Sequence, residues 1–504
     1  METDVIIVGA GPVGLMLAGE LRLGGTDVVV FERMSSRSGE SRGLGFTARA
    51  AELFHLRGLL ARFENAEETR RGHFGGIPMD FGVLEGSHFG VRGVQQYQIE
   101  EMLENWATGL GASVRRGCEV TGLRATGEGV VAVVEGQADL IECTAKYLVG
   151  CDGGRSKVRE LGGFDFPGTD ATREMYLADV VGRGIRPRPI GERVPGGMVM
   201  SAPLEDGVDR IIVCENGTPP PEREGGPAFS EVANAWQRLT GESLHGAEAR
   251  WVSGFTDATR QVTEYRRGRV LLAGDAAHVH LPAGGQGLSV GVQDAVNLGW
   301  KLAATVNGWA PAGLLDTYHS ERHPVDERML CNTRAQGILY LSGDEIEPLR
   351  SVMSELMTIE NVARHLSGMV SGFDIRYDVG AGDHPLLGRR LPDRELYLID
   401  GGRLRVASTL HAARGVLIST DSYGGAGQIV AGWSDRVDLV RVRRFPVGAE
   451  DARSATHSVL VRPDGYVAWA APGGGELQDA LRRWFGAATT GPEALVPQEA
   501  TSAR

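Results

Sequence analysis

Lysine is almost missing from this chain. Of its 52 basic residues only Lys146, Lys157 and Lys301 are lysines, and the rest are arginine. Acidic residues number 65, so the formal net charge is −13. A chain this acidic lacks the electropositive face that binding to nucleic acid or an anionic membrane requires. No apolar run is long enough to cross a bilayer. The acidic start Met-Glu-Thr-Asp and the short run Val5–Val8 do not make a secretory signal, so a cytoplasmic protein is expected. Cysteine is scarce too. Cys118, Cys143, Cys151, Cys214 and Cys331 are scattered and form no C-x-x-C pair, which predicts buried free thiols in a reducing compartment. Glycine, by contrast, occurs 72 times. With arginine replacing lysine, that marks a GC-rich coding bias rather than a function. The length of 504 residues exceeds one ordinary core and predicts two or three domains.

Asp4–Val8 is a continuous apolar run, as in a strand buried on both faces of a parallel sheet. Gly9-Ala-Gly-Pro-Val-Gly14 follows, then helical apolar spacing over Leu15–Leu23, then a second strand, Asp27–Phe31, ending in Glu32-Arg33. This is a βαβ unit of about 30 residues. A strand ending at Val149 runs into Cys151-Asp-Gly-Gly-Arg-Ser156, and Arg269–Ala273 runs into a long glycine-rich stretch from Gly274 to Ser289. Three glycine-rich turns thus follow apolar strands, where α/β folds place ligands. Residues 72–95 and roughly 165–265 alternate in pattern, as in Arg210–Glu215, and predict an antiparallel sheet inserted into the first domain. Helical spacing returns over Leu314–Leu356. Residues 380–385 read as a linker to a separate C-terminal unit, with strands near Arg414–Ser419 and Val459–Val461 and a terminal helix.

The spacing of Gly9, Gly11 and Gly14, between a strand and a helix, suits a dinucleotide. Glycines let a pyrophosphate approach the backbone at a helix N-terminus, where Pro12 and Val13 begin the first turn. Glu32 is placed to bond both ribose hydroxyls and would repel a 2′-phosphate, which leaves FAD or NAD. The bland alternative is a salt-bridged surface glutamate. Arg33 adjoins the same edge.

Cys151-Asp-Gly-Gly-Arg-Ser-Lys-Val-Arg159 and Arg269-Val-Leu-Leu-Ala-Gly-Asp-Ala-Ala-His278, taken with the first turn, resemble the fingerprints of the class A flavoprotein aromatic hydroxylases, the family of p-hydroxybenzoate hydroxylase. Gly39–Arg49, His73–Phe81 and Pro195–Met200 are similar to segments of actinobacterial angucycline and other aromatic polyketide hydroxylases. Thr317–Pro324 and Val461–Trp469 also resemble rifampicin monooxygenase. The resemblance covers nearly the whole chain. It implies an α/β fold with a Rossmann-type FAD-binding domain (1–72, 95–165 and 265–380), an inserted antiparallel β substrate domain (73–94 and 166–264) and a thioredoxin-like C-terminal domain (385–504). That last domain has no cysteine and hence no redox role. It also implies that Asp275 meets the ribityl chain of FAD, Arg42 the pyrophosphate, Gln96 the ribose and the Val120 backbone the adenine, while the Asp152 turn packs beside the flavin and supports nicotinamide use.

The implied activity is FAD- and NADPH-dependent monooxygenation with O₂, through a flavin C4a-hydroperoxide, hydroxylating a polycyclic aromatic polyketide of angucycline type in antibiotic biosynthesis. Baeyer–Villiger oxygenation of such a substrate and rifampicin-type antibiotic inactivation are the competing outcomes. A non-enzymatic flavin-binding role would need a partner-recognition domain that the sequence does not show. A second copy of the chain is the candidate protein partner.

Within the Gly274–Ser289 stretch, a helix starting near Gly287 would aim the N–H groups of Gly287, Leu288 and Ser289 at the negative charge of reduced flavin. Gly284 and Gly285 would permit close approach, and Pro282 would stiffen the substrate side. Relatives often carry asparagine where Ser289 stands. Pro78 and Met79 are candidate substrate contacts; Met198 and Met200 could line the pocket or fill the core. No residue identifies itself as a catalytic base.

Three other readings are weaker. Gly287-Leu-Ser-Val-Gly291 fits a nucleophile elbow but lacks the preceding strand. A triad of Ser289, Asp316 and His319 can be written without support. His278 with His280, and His319 with His323, have metal-ligand spacings, but no carboxylate–histidine cluster is apparent to complete a site, so no metal is expected.

Overall fold

Val5, Ile6, Ile7, Val30 and Phe31 are wholly buried, the condition of strands covered on both faces. The computed structural model describes residues 1–41, 43–84, 90–136, 139–204, 207–223, 225–420, 425–445 and 456–489. In it β1 (Glu2–Val8), α1 (Pro12–Leu23) and β2 (Val28–Glu32) form the first βαβ unit. They are followed by α2 (Gln96–Gly109), β3 (Ser113–Arg116), β4 (Leu140–Gly150), β5 (Val270–Leu272), α3 (Gly287–Val306) and α4 (Thr317–Leu341). The parallel order is β5-β4-β1-β2-β3. A hairpin of Glu119–Ala125 and Val130–Glu135 pairs with the first half of β4. Register then fixes the site. Val8 lies opposite Phe31 and Gly150, and Gly150 opposite Leu272, so the turns after four strands emerge on one edge.

The inserted sheet is antiparallel, ordered Arg188–Val194, Gly197–Pro203, Val208–Glu215, Glu174–Val181, Ala249–Thr256. Alternation divides its faces. Ala178, Val199, Ile211 and Val213 pack under Trp236 of the helix Phe229–Thr240. Met175, Met198 and Cys214 turn the other way and meet Leu281, Ala283 and Tyr340.

Among the described residues the first alternating segment does not join this sheet, and Arg71–Phe74 pairs only with Ile77–Asp80. The Gly75-Gly76 turn, with φ of +58° and +77°, closes the hairpin at once. A Cβ on Gly75 would lie 2.7 Å from the Leu339 Cβ, so the turn is pressed against α4 instead.

The C-terminal unit is a four-stranded mixed sheet, ordered Val437–Val442, Gly415–Thr420, Ser458–Val461, Val467–Ala471, with the helix Leu477–Phe485. Contrary to the sequence reading it is not separated by a free linker: Val379, His384 and Leu387 are buried. Trp484 and Phe485 pack at 6.4 and 6.2 Å from Trp300 of α3, inside one continuous hydrophobic core. The thiols also depart from expectation: Cys143, Cys151 and Cys214 are buried, but Cys118 is half-buried and Cys331 exposed. Among the described residues no helix is long and apolar enough to cross a membrane.

Candidate active site

A cleft of about 350 Å³ opens along the common strand edge. Gly9, Gly11, Pro12 and Val13 form its floor at the start of α1, whose N-cap, Gly11, brings no side-chain cap. The first turn's N–H groups therefore face the cleft as an anion site. Gly14 lies behind the floor, against the Gly9 carbonyl. A Cβ on Gly11 would meet no protein atom within 4 Å, so the space above it is left for a ligand, as a bound pyrophosphate requires.

Glu32 lines the cleft with Arg33. Its Oε2 accepts the Ala10 N–H at 2.8 Å and its Oε1 the Met34 N–H at 2.9 Å. No ion pair of Glu32 occurs among the described residues, which disfavours the surface salt-bridge reading. The carboxylate is oriented by backbone, with lone pairs remaining for ribose hydroxyls.

Gln96 and buried Val120 line the opposite side. Gln96 donates from Nε2 to Glu100 at 2.8 Å and accepts the Gly43 N–H at 3.4 Å, so it braces the backbone at Gly43. Arg42 itself lies outside the described residues.

The second turn is shaped by Asp152. Its carboxylate accepts from Ser156 Oγ (2.5 Å), Lys157 N–H (2.7 Å) and Val158 N–H (3.0 Å). Arg159, not singled out as a site residue from sequence, donates to the Gly154 carbonyl at 2.8 Å and to the Ala276 carbonyl at 3.0 Å. It ties the second turn to the third. Asp275, in the third turn, is exposed in the cleft. Its carboxylate has no hydrogen bond or ion pair to the described residues, as expected of a ligand-facing group.

α3 begins at Gly287, and Gly287 and Leu288 close the cleft's far end. Gly284 and Gly285, with φ of +73° and +66°, bend the preceding chain, and Pro282 and Gly285 are exposed there. Ser289 is buried, and its side chain has a role of its own: Oγ accepts the Thr47 N–H at 2.9 Å. The hydrolase triad is not assembled, because Asp316 pairs with Arg266 and His319 Nδ1 accepts the Tyr265 N–H. His323 bonds the Val262 carbonyl, so both helix histidines hold that loop. His280, whose Nδ1 lies 2.7 Å from the Leu281 carbonyl oxygen, is kept neutral by burial.

The fold does bring a histidine and two carboxylates together, which corrects the sequence reading. His278 Nε2 lies 2.8 Å from Asp294 and 3.7 Å from Asp326, all fully buried. Arg322, however, already bonds both carboxylates, at 2.7 and 2.8 Å, and Tyr265 Oη donates to Asp326 at 2.9 Å. Burial would depress the His278 pKa, but Asp326 and Asp294 hold it at about 9. Cationic arginine and histidine satisfy the carboxylates, so the unit reads as an ion network rather than a metal centre. Asp294 also accepts the Gly274 N–H at 3.0 Å, fixing the base of the Asp275 turn from behind. Only the Arg322–Asp326 spacing of four on a helix hinted at this in the sequence.

Of the substrate candidates, Pro78 is exposed on the hairpin and Met79 is packed with Phe74, Phe81 and Leu339. Buried Met198 and half-buried Met200 belong to the inner face of the inserted sheet, beside Leu281 and Ala283. Arg210 on that face pairs with Asp179 through two bonds of 2.7 Å and donates to the Ser41 carbonyl, tying the sheet to the cofactor domain at Ser41.

Residues 2–333 match the family model described as FAD binding domain, and residues 384–488 that described as aromatic-ring hydroxylase, C-terminal. The chain belongs to the FAD-binding aromatic-ring hydroxylases. As a member of that family it is a flavin-dependent monooxygenase. It is 44% identical to 12-dehydrotetracycline 5-monooxygenase/anhydrotetracycline 6-monooxygenase of Streptomyces rimosus, over 96% of this chain and 99% of that protein. Rifampicin monooxygenase of Streptomyces venezuelae is 43% identical over 97% and 100% of the two chains. The crystal structure of CabE, an aromatic hydroxylase from angucycline biosynthesis, superposes with a TM-score of 0.93 at 60% identity, covering 97% of this chain and 100% of that one.

Proposed function

We propose that this hydroxylase uses FAD and NADPH to add one oxygen atom from O₂ to a ring carbon of a polycyclic aromatic polyketide of angucycline type. The observation that carries the reading is the cleft's construction. A phosphate-ready helix start, a backbone-held Glu32 and an unpartnered Asp275 follow one another along a single strand edge, and the edge ends at the N-terminus of α3. The likeness to the angucycline hydroxylase supports the substrate class.

When bound, FAD supplies the activated oxygen. The protein's own part is to bind, orient and exclude water. Ala10 and Met34 N–H groups hold Glu32 on the cleft wall, where it would bond a ribose, and Asp294 and Arg159 fix the third turn from two sides. The N–H groups of Gly287 and Leu288, at the positive end of α3, would stabilise negative charge on a bound flavin ring as an oxyanion hole does. Met198, Leu281 and Ala283 form a buried apolar layer between the inserted sheet and the loop before α3, which would help keep water from that side of the site.

The test is direct. The purified protein should be yellow or become so with FAD. With NADPH, O₂ and a panel of angucyclines it should give products heavier by one oxygen with rings intact. A lactone would place it with Baeyer–Villiger oxygenases, and turnover of a rifamycin alone with antibiotic-inactivating enzymes. Colourless protein that ignores FAD would overturn the reading.

A further inference from the structure

Three buried amides form a continuous chain between the 71–80 hairpin and the loop that leads into α3. Gln336 Oε1 accepts the Gly75 N–H at 3.1 Å, and its Nε2 donates to Asn332 Oδ1 at 2.9 Å. Asn332 Nδ2 donates to Gln286 Oε1 at 3.4 Å, and Gln286 Nε2 donates to the Ala283 carbonyl at 3.1 Å. Gln286, Asn332 and Gln336 are 2%, 4% and 0% exposed. All three donate toward the loop and accept from the hairpin side, so the bonds polarise one another.

Both ends of the chain are tightly seated. At the hairpin, Arg350 Nη1 donates to the Gly75 carbonyl at 2.6 Å, and His73 Nδ1 accepts the Gly76 N–H at 3.2 Å. At the loop, Gly284 lies directly over the chain: a Cβ there would be 3.3 Å from Gln286 Nε2 and 3.7 Å from Gln336 Nε2. Packing alone does not explain the amides. Leu339, Met79 and Phe81 join the same helix and hairpin through apolar contact, and three desolvated amides are a costly substitute for it. What amides add is a fixed length and direction between two backbone groups.

We propose that Gln336, Asn332 and Gln286 are positioning residues that set the height of the Pro282–Gln286 loop against the hairpin, so that oxygen reaches the substrate instead of being lost as peroxide. This rests on the monooxygenase reading given above. It predicts that two segments far apart in sequence loosen together when the Gln336 amide, which bonds toward both, is removed, and that a cut nearer the loop frees the loop alone.

The experiment uses the full-length protein with and without FAD, comparing wild type, Gln336→Met, Gln336→Glu and Asn332→Ser. Hydrogen–deuterium exchange is followed over residues 71–80 and 281–287, and product formed per NADPH consumed is measured alongside peroxide. Gln336→Met should raise exchange in both segments. Gln336→Glu keeps the acceptor for Gly75 and loses the donor to Asn332, so only 281–287 should loosen. Asn332→Ser cuts the middle and should do the same, which preserves the test if Gln336→Met fails to fold. In each folded variant the product-to-NADPH ratio should fall by roughly threefold or more, with peroxide making up the difference. Exchange that rises only at the hairpin in Gln336→Met, or an unchanged product ratio in folded variants, would overturn the proposal. A wild type that binds no FAD or forms no product would instead sink the hydroxylase reading, and the exchange pattern would still decide the chain's structural role.

Discussion

A Cβ on Gly14 would lie 2.0 Å from the Gly9 carbonyl oxygen, while one on Gly11 would meet nothing within 4 Å. Gly11 also sits at φ −79° and ψ −179°, open to any residue. The two glycines therefore answer to different masters, the chain's own backbone and the ligand. Gly14→Ala should lower the melting midpoint of the apo protein, by about 1–3 kcal/mol of overpacking strain. Gly11→Ala should leave that midpoint unchanged and weaken FAD binding by roughly tenfold or more, since a methyl group would stand where the pyrophosphate approaches. Apo-protein melts and flavin-fluorescence titration separate the two, and a Gly11→Ala variant that binds FAD like wild type would mean the pyrophosphate lies elsewhere. The sequence spacing placed both glycines at the turn but could not tell their reasons apart. Glu32 could be singled out because it ends a strand at a recognisable distance from the turn, and Asp275 because it stands in a family motif; the structure puts both on the cleft wall. Asp294, Arg322 and Asp326 were not, because a buried ion network depends on which helices touch, and no local pattern records that.

The 71–80 hairpin illustrates what is hidden at the scale of an element. Alternation announced strands, but the partner strand was set by a Gly-Gly turn pressed onto α4, a contact between residues more than 250 apart in the chain. Strands of the parallel sheet and the start of α3 were easier to read, since apolar runs and glycine turns are local signals. Within the hairpin, His73 packs at a tilt against Tyr340 with ring centroids 5.7 Å apart, and burial pushes its pKa from 6.5 down to about 4. The sign follows from the unfolded chain taking up a proton first. Above pH 6.5 both states are neutral and His73 contributes no pH dependence. As pH falls from 6.5 through 4, stability is lost, by up to about 3 kcal/mol, and the loss levels off below. His73→Gln, which retains an acceptor for the Gly76 N–H, should remove this share of the acid sensitivity. Denaturant melts at pH 7 and pH 5 check it: an equal acid-induced loss in wild type and variant would show that His73 does not carry the effect.

At the scale of the molecule, the C-terminal unit is held by charge as much as by its apolar seam. Arg462, fully buried, bonds Glu321 of α4 at 2.5 and 2.8 Å, and Lys301 of α3 reaches the same carboxylate at 2.8 Å. Burial would raise the Glu321 pKa, but Arg462 and Lys301 hold it at about 2. Arg57 adds bonds from the cofactor domain to the Leu410 and Pro463 carbonyls, at 2.8 and 2.9 Å. Sequence reading noticed Val461–Trp469 as a family likeness and missed its purpose, because nothing in a tail reveals which helices it will meet. The consequence is that α3, whose N-terminus closes the cleft, is anchored at its other end by the C-terminal unit. Removing the cation leaves Asp464 and half of Glu321 buried without their main partner, a loss of about 3–5 kcal/mol for a pair broken on one side. Arg462→Met should therefore lower the denaturation midpoint of the whole chain, with tryptophan fluorescence and flavin release changing in one coincident transition. Flavin released at the wild-type midpoint while the C-terminal tryptophans report an earlier, separate transition would show that the two units fold independently after all.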